Sequence, residues 1–278
     1  MSLYSLTMRY AAALAERECA SRTVQKYTRD IKKLADYAGD RPLDKALLLR
    51  FKEAIAERYS PASVNSILAA VNGFLDFIGL GELKLRQLKI QRRVFLPEER
   101  ELSVGEYKRL VAAARKSGDR LALVLQTICS TGIRVSELRF ITVEAVKSGR
   151  AVVSCKGKSR LIFIPLKLRR LLGEYLKRRG IAAGSVFVTS RGNPLDRSNL
   201  WRDMKRLCKA AGVAEGKVFP HNLRHLFART FYTNEKDLLR LADLLGHSTV
   251  NTTRIYTLES GKVHEKQINR LGLILDTT

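Results

Sequence analysis

The 278-residue chain has no apolar run near the ~20 residues that a membrane-spanning helix requires, so nothing in it calls for a bilayer. Its N-terminus, Met1-Ser2-Leu3-Tyr4-Ser5-Leu6, lacks the basic-then-apolar form of a signal peptide, and an intracellular, cytoplasmic location is expected. Cysteine is scarce. Cys19, Cys129, Cys155 and Cys208 are scattered with no C-x-x-C pair, leaving no sign of a disulfide framework or a zinc knuckle. Low-complexity stretches and internal repeats are absent as well. The last shortage is acidic: 27 Asp and Glu face 51 Lys and Arg, giving a net charge of +24 and a pI near 10.3. Such an excess attracts polyanions, chiefly nucleic acid and secondarily anionic membrane.

What is present suits a folded chain. Hydrophobic residues make up 45%, too many for a disordered protein, and the length allows one large domain or two medium ones. The charge is uneven: residues 1–100 hold 18 basic and 12 acidic side chains, whereas residues 101–278 hold 33 and 15. Most of the attraction for polyanions therefore lies in the C-terminal part.

The first 82 residues read as a four-helix bundle, with helices near 5–18, from Ser21, near 43–58, and from Pro61 to Gly79. Val24, Tyr27, Ile31 and Leu34 recur at helical spacing, and Val64, Ile67, Leu68, Val71, Leu75 and Ile78 form a second apolar stripe. Lys26, Arg29, Lys32 and Lys33 mark a basic face that is either solvated surface or a DNA contact. Residues 83–102, with Arg92 and Arg93 ahead of Leu96-Pro97, read as a basic linker. Ser103-Val104-Gly105-Glu106 matches a capping box, and a second domain, 103–278, begins there. Helices are expected near 103–117, 119–130, 134–146, 166–179, 198–211, 221–231, 235–245 and 249–256. Strands at 151–154 and 161–164 flank the hairpin tip Cys155-Lys156-Gly157-Lys158-Ser159-Arg160. The fold class is thus mostly α with a small β-hairpin.

Metal-free cleavage of a phosphodiester needs a nucleophile, cationic donors for the non-bridging oxygens, and a proton for the leaving oxygen. Tyr256, nine positions after His247, can attack and hold the phosphate covalently. Its unperturbed pKa near ~10 means that it needs cationic, hydrogen-bonding neighbours. Arg134, after the Thr131-Gly132 turn, offers a planar fork for two phosphate oxygens, expected to point inward, with Glu137 three residues on to orient it. His221 and Arg224 share a helical face behind Pro220. His225 follows His221 by four, but Asn222 stands where a zincin has Glu, so no metal site is expected and His225 reads as a packing residue or a support for the site. The hairpin supplies the proton donor, Lys156 with Lys158 as rival, and Lys158 and Arg160 are also placed to meet DNA.

Taken in order, T-G-I-R-V-S-E-L, K-G-K, H-N-L-R, L-L-G-H and I-Y resemble the tyrosine recombinase (phage integrase) family over essentially the whole chain. The resemblance implies a SAM-like core-binding bundle followed by a catalytic domain. It implies that Arg134, Glu137, Lys156, His221, Arg224 and His247 activate a scissile phosphate that Tyr256 attacks. It further implies a 3′-phosphotyrosyl intermediate, strand exchange on duplex DNA in a homotetramer, association with the nucleoid, and no nucleotide or metal cofactor. A monomer is compatible with the free state. Two alternatives share the same residues: a type IB topoisomerase-like activity and a catalytically silent DNA-binding protein. The hairpin is one residue shorter than the G-K-G-x-K-x-R of many relatives, and Thr230 to Lys236 lacks the glycine that many carry before the next helix. The size is similar to that of Xer-type resolvases and short mobile-element integrases. An apolar stripe after the tyrosine, Val263, Ile268, Leu271, Leu273 and Ile274, is expected to dock on a neighbouring protomer, as in relatives.

Overall fold

The computed structural model describes residues 2–90, 101–155, 158–189, 191–256 and 269–270. It is mostly helical, and the chain divides into two compact units, Met1–Arg92 and Arg93–Thr278.

The first unit contains four helices: α1 (Leu3–Glu16), α2 (Ser21–Ala38), α3 (Lys45–Arg58) and α4 (Pro61–Phe77). Ser60 starts α4 by accepting the Ser63 N–H, with Pro61 supplying the fixed φ of the first turn. The stripe expected on α4 is the core: Val64, Ile67, Leu68, Val71 and Leu75 are buried against Leu34, Leu48 and Phe51. The stretch expected to begin a linker behaves differently. Asn72 and Asn65 bind both backbone groups of Leu85 and Leu88 respectively, and Leu85 is buried on the bundle. Those amides satisfy the strand-like backbone that no neighbouring strand pairs.

In the second unit, α5 (Val104–Ser117) opens with the expected capping box and α6 (Asp119–Thr131) packs on it. The single helix expected over 134–146 is instead a 3-10 turn, Val135–Phe140, and a short helix, α7 (Val143–Ser148). The break has a cause. Ile141 O accepts the Val186 N–H and Gly184 O accepts the Val143 N–H, which holds the chain extended at 141–142 until Thr142 caps α7. Strands β1 (Arg150–Cys155) and β2 (Lys158–Phe163) then pair antiparallel with Arg150 opposite Phe163. Ala151, Val153 and Ile162 face the core, while Val152, Leu161 and Phe163 face outward.

Among the described residues there follow α8 (Leu166–Arg179), α9 (Arg197–Ala211), a 3-10 turn at Glu215–Lys217, α10 (Pro220–Glu235), α11 (Leu238–Leu245) and α12 (Val250–Thr253), with a 3-10 turn at Arg254–Tyr256. No helix among the described residues is long and apolar enough to cross a membrane. The apolar stripe expected after Tyr256 lies outside the described residues.

Candidate active site

Two helix ends converge on a third helix in the second unit. Helix α6 stops at Gly132, whose φ of +64° is left-handed. A Cβ there would lie 2.6 Å from the Phe227 ring, so the turn needs glycine for two reasons. Helix α11 stops at Gly246, φ +63°, where a Cβ would meet Arg160 Cδ at 2.3 Å. Helix α10 runs between them and carries Arg224.

Arg224 is 1% exposed and ties the ends together: Nη1 donates to Gly132 O at 2.5 Å and Nη2 to Leu245 O at 2.6 Å. Its Nη2 also lies 3.0 Å from His247 Nε2. Burial, then the nearby Arg134, lowers its pKa to about 10, which leaves it cationic at neutral pH; Tyr256 works in the opposite direction.

Glu137 is buried and anchors a second group of cations. Its carboxylate accepts the Arg134 backbone N–H and Arg134 Nη1, each at 2.9 Å, and Arg160 Nη2 at 2.5 Å. Burial alone would raise this carboxyl, but the Arg134 N–H and the two guanidinium groups outweigh it and hold it below the ordinary range. Arg134 itself does not point into the core. Its side chain is 40% exposed, so the guanidinium is braced at one edge by Glu137 and open to solvent elsewhere.

Tyr256 is 3% exposed and lodged with Ala228, Leu241 and Leu245. His225 meets its ring edge-on at a centroid distance of 4.7 Å, and His247 lies nearly parallel to it at 5.8 Å and 17°. His221, on the outer side, meets His225 edge-on at 4.8 Å. Burial, followed by surrounding positive charge, pushes the imidazoles toward neutrality: His225 and His247 fall to about 4, and His221 falls below its usual value. The ring nitrogens are therefore available as neutral donors or acceptors beside a phenol.

Arg134, Glu137, His221, Arg224, His247 and Tyr256 thus gather in one unit, while Lys156 lies outside the described residues, as do Arg92 and Arg93 and the side chain of Lys158. Arg160 differs from its expected place on DNA. Alternation along β2 turns it inward, where it bonds Glu137 and the Leu244 carbonyl at 2.5 Å with only 11% of its side chain exposed. In the bundle, Lys26 and Lys33 are not free cations either. Both pair with the buried Asp30, at 2.6 and 3.1 Å, whereas Arg29 and Lys32 are exposed. Two site residues escaped the sequence reading, Arg160 in this role and Thr253, whose Oγ1 is 2.8 Å from His247 Nδ1. The strand alternation could have found the first, and the helical spacing between Thr253 and Tyr256 the second.

A buried tyrosine thus lies beside neutral imidazoles, with two arginines on one buried carboxylate and a third, Arg224, on the ring of His247. The chain belongs to the phage integrase family, whose model matches residues 100–262. It is 31% identical to the tyrosine recombinase XerA of Pyrococcus furiosus over 261 residues, covering 91% of this chain and 88% of that protein. It is 28% identical to the tyrosine recombinase XerD of Halalkalibacterium halodurans over 87% of this chain and 88% of the relative. Among solved structures, that of XerA recombinase shares 26% identity at a TM-score of 0.55, covering 98% of this chain and 99% of the other. A lambda integrase dimer bound to a COC′ core site shares the fold at a TM-score of 0.75 and 22% identity, over 92% and 95% of the two chains.

Proposed function

We propose that this protein is a site-specific DNA recombinase that cleaves and rejoins duplex DNA through Tyr256. The observation that carries the reading is the burial of Tyr256 against His247 and His225, with Arg224 bonded to the same histidine. In this reading Arg134, Arg224, His221 and His247 take the non-bridging oxygens of one phosphate. Glu137, itself bonded by Arg160, holds Arg134 in place. The Tyr256 oxygen attacks phosphorus, and its proton passes to water. The bond to the 5′ oxygen breaks, and a hairpin lysine, Lys156 or Lys158, protonates the departing oxygen. A 3′-phosphotyrosyl ester and a free 5′-hydroxyl result, and reversal on a partner strand completes exchange.

The helical bundle serves as the core-binding domain, with residues 103–278 as the catalytic domain, and the working form is a homotetramer on two DNA sites. The reading is supported by the relatives named tyrosine recombinase and by a lambda integrase tetramer solved on a Holliday junction, a structural neighbour at a TM-score of 0.75. Such a substrate puts the protein in the cytoplasm, with the nucleoid.

The test is a nicked suicide substrate that traps the covalent adduct. Wild-type protein should become attached to the 3′ end, and Tyr256→Phe should bind the same DNA without forming the adduct. A full adduct in that variant removes Tyr256 as nucleophile. Relaxation of supercoiled DNA lacking paired sites would favour a topoisomerase, and binding with no adduct would favour a silent DNA-binding protein.

A further inference from the structure

His247 touches two partners of different character. Arg224 Nη2 stands 3.0 Å from Nε2, and a guanidinium can only donate. Nε2 therefore accepts, the proton of the ring sits on Nδ1, and Nδ1–H donates to Thr253 Oγ1 at 2.8 Å. Thr253 is wholly buried, at 0% exposure, at the end of α12. The ring is neutral in this setting, since burial and the surrounding arginines lower its pKa to about 4.

A phosphate oxygen accepts hydrogen bonds and donates none. A neutral His247 can serve it only by presenting Nε2–H, which is the opposite tautomer to the one Arg224 imposes. Nδ1 would then be bare and would require a donor in place of an acceptor. A hydroxyl meets both demands by rotating about its C–O bond; a carboxylate would meet one and a methyl group neither.

Resting on the recombinase reading above, we propose that Thr253 is a positioning residue whose hydroxyl lets His247 change tautomer between the DNA-free and the phosphate-engaged site. In the free protein Oγ1 accepts from Nδ1–H while Arg224 donates to Nε2. On DNA, Arg224 and His247 both turn to the phosphate, Nε2–H donates to its oxygen, and Oγ1–H donates to Nδ1. The Nδ1 proton passes to water and another from water binds Nε2. The ring gains no net charge.

The experiment uses the full chain and two substitutions. Thr253→Val keeps size and burial without the hydroxyl, and Thr253→Ser keeps the hydroxyl. Nitrogen-15 shifts of the imidazoles, read in the free protein and in the uncleaved complex of Tyr256→Phe, report the tautomer directly. His247 should be Nδ1–H when free and Nε2–H on DNA. Thr253→Val should bind DNA as wild type does but cleave about tenfold or more slowly in single turnover, and Thr253→Ser should recover most of the rate. An Nε2–H ring in the free protein, an unchanged tautomer on DNA, full-rate cleavage by Thr253→Val, or a Thr253→Ser variant as slow as Thr253→Val would each overturn the proposal. Failure of the recombinase reading looks different: the wild-type protein itself would form no adduct, while the tautomer of the free protein could still be read.

Discussion

Arg160 bridges Glu137 and the end of α11: one arm of its guanidinium meets the carboxylate at 2.5 Å and the other the Leu244 carbonyl at 2.5 Å. The hairpin is thereby fastened to the helix end that presents His247. Arg134 hangs from the same carboxylate, so a single buried charge orients one cation from the hairpin and one from the turn after α6.

Glu137→Gln should therefore act on both stability and rate. The amide can accept from one arginine only, and its NH2 faces the other. Leaving Arg160 buried without a counter-charge should cost on the order of 3 kcal/mol, measured by denaturant unfolding. The loosened Arg134 should slow cleavage about 10²-fold. Wild-type rates with lowered stability would show that the carboxylate braces the fold alone. Gly246→Ala probes the same bridge from above, because its Cβ would displace Arg160. Gly180→Ala is the control: φ is +64° there too, but the added carbon has open space. Both should lose about 1 kcal/mol from the left-handed backbone, and only Gly246→Ala should also lose cleavage.

Acidification should destabilise the protein before it reaches the usual carboxylate range. An unfolded histidine takes up its proton near 6.5, whereas native His225 and His247 do so at about 4. Between those values the unfolded chain binds more protons, so stability falls as pH drops. Glu137 acts in the same direction lower down, since its native carboxyl is held below 4.5 and the stabilisation is lost as pH falls through that lower value. Tm followed from about pH 7 to pH 4 should decline, and His247→Gln should make the decline shallower. A Tm that is flat or rises on acidification contradicts the burial of these rings in neutral form.

The helices and the site differ in how far the sequence announced them. Apolar period, Ser60-Pro61 and the Ser103–Glu106 box are local signals, and α4 and α5 follow them. The break at 141–142 was not legible, because it depends on backbone pairing with Gly184 and Val186, some forty residues away. Nor did Lys26 or Lys33 reveal that Asp30, on the same helix, would be buried between them. The missing glycine before α11 was legible, and its consequence is visible: Lys236 ends α10 in the left-handed region, at φ +55°, a conformation that costs a side chain about 1–2 kcal/mol.

The ion pairs of the bundle bear on DNA affinity. A clamp touching on the order of 8 phosphates should lose roughly 10³- to 10⁵-fold in affinity between 50 and 200 mM salt. Arg29 and Lys32 are exposed on α2 and available to phosphates, so replacing either by alanine should reduce the slope of log affinity on log salt by about 1. Lys26 and Lys33 already neutralise Asp30, and their alanine variants should lower Tm more than they change that slope. A slope insensitive to all four would take α2 out of the interface.

The identity of the general acid can be read from leaving-group chemistry. A departing 5′ oxygen has an alcohol-like pKa and needs a proton as its bond to phosphorus breaks. Sulfur in that bridging position makes a much more acidic leaving group, which departs unprotonated. A variant that lacks only the proton donor should therefore be crippled on ordinary DNA and recover on the 5′-bridging phosphorothioate. The segment Cys155-Lys156-Gly157-Lys158 carries two lysines separated by one residue. Lys156→Ala should show the recovery, and Tyr256→Phe should not, because its defect lies in attack. Recovery by Lys158→Ala alone would move the role to Lys158. If neither lysine variant recovers, the proton comes from elsewhere. His221 is the next candidate, since it lies on the exposed side of the imidazole series; burial lowers its pKa, so it would have to take up its proton against the negative phosphate.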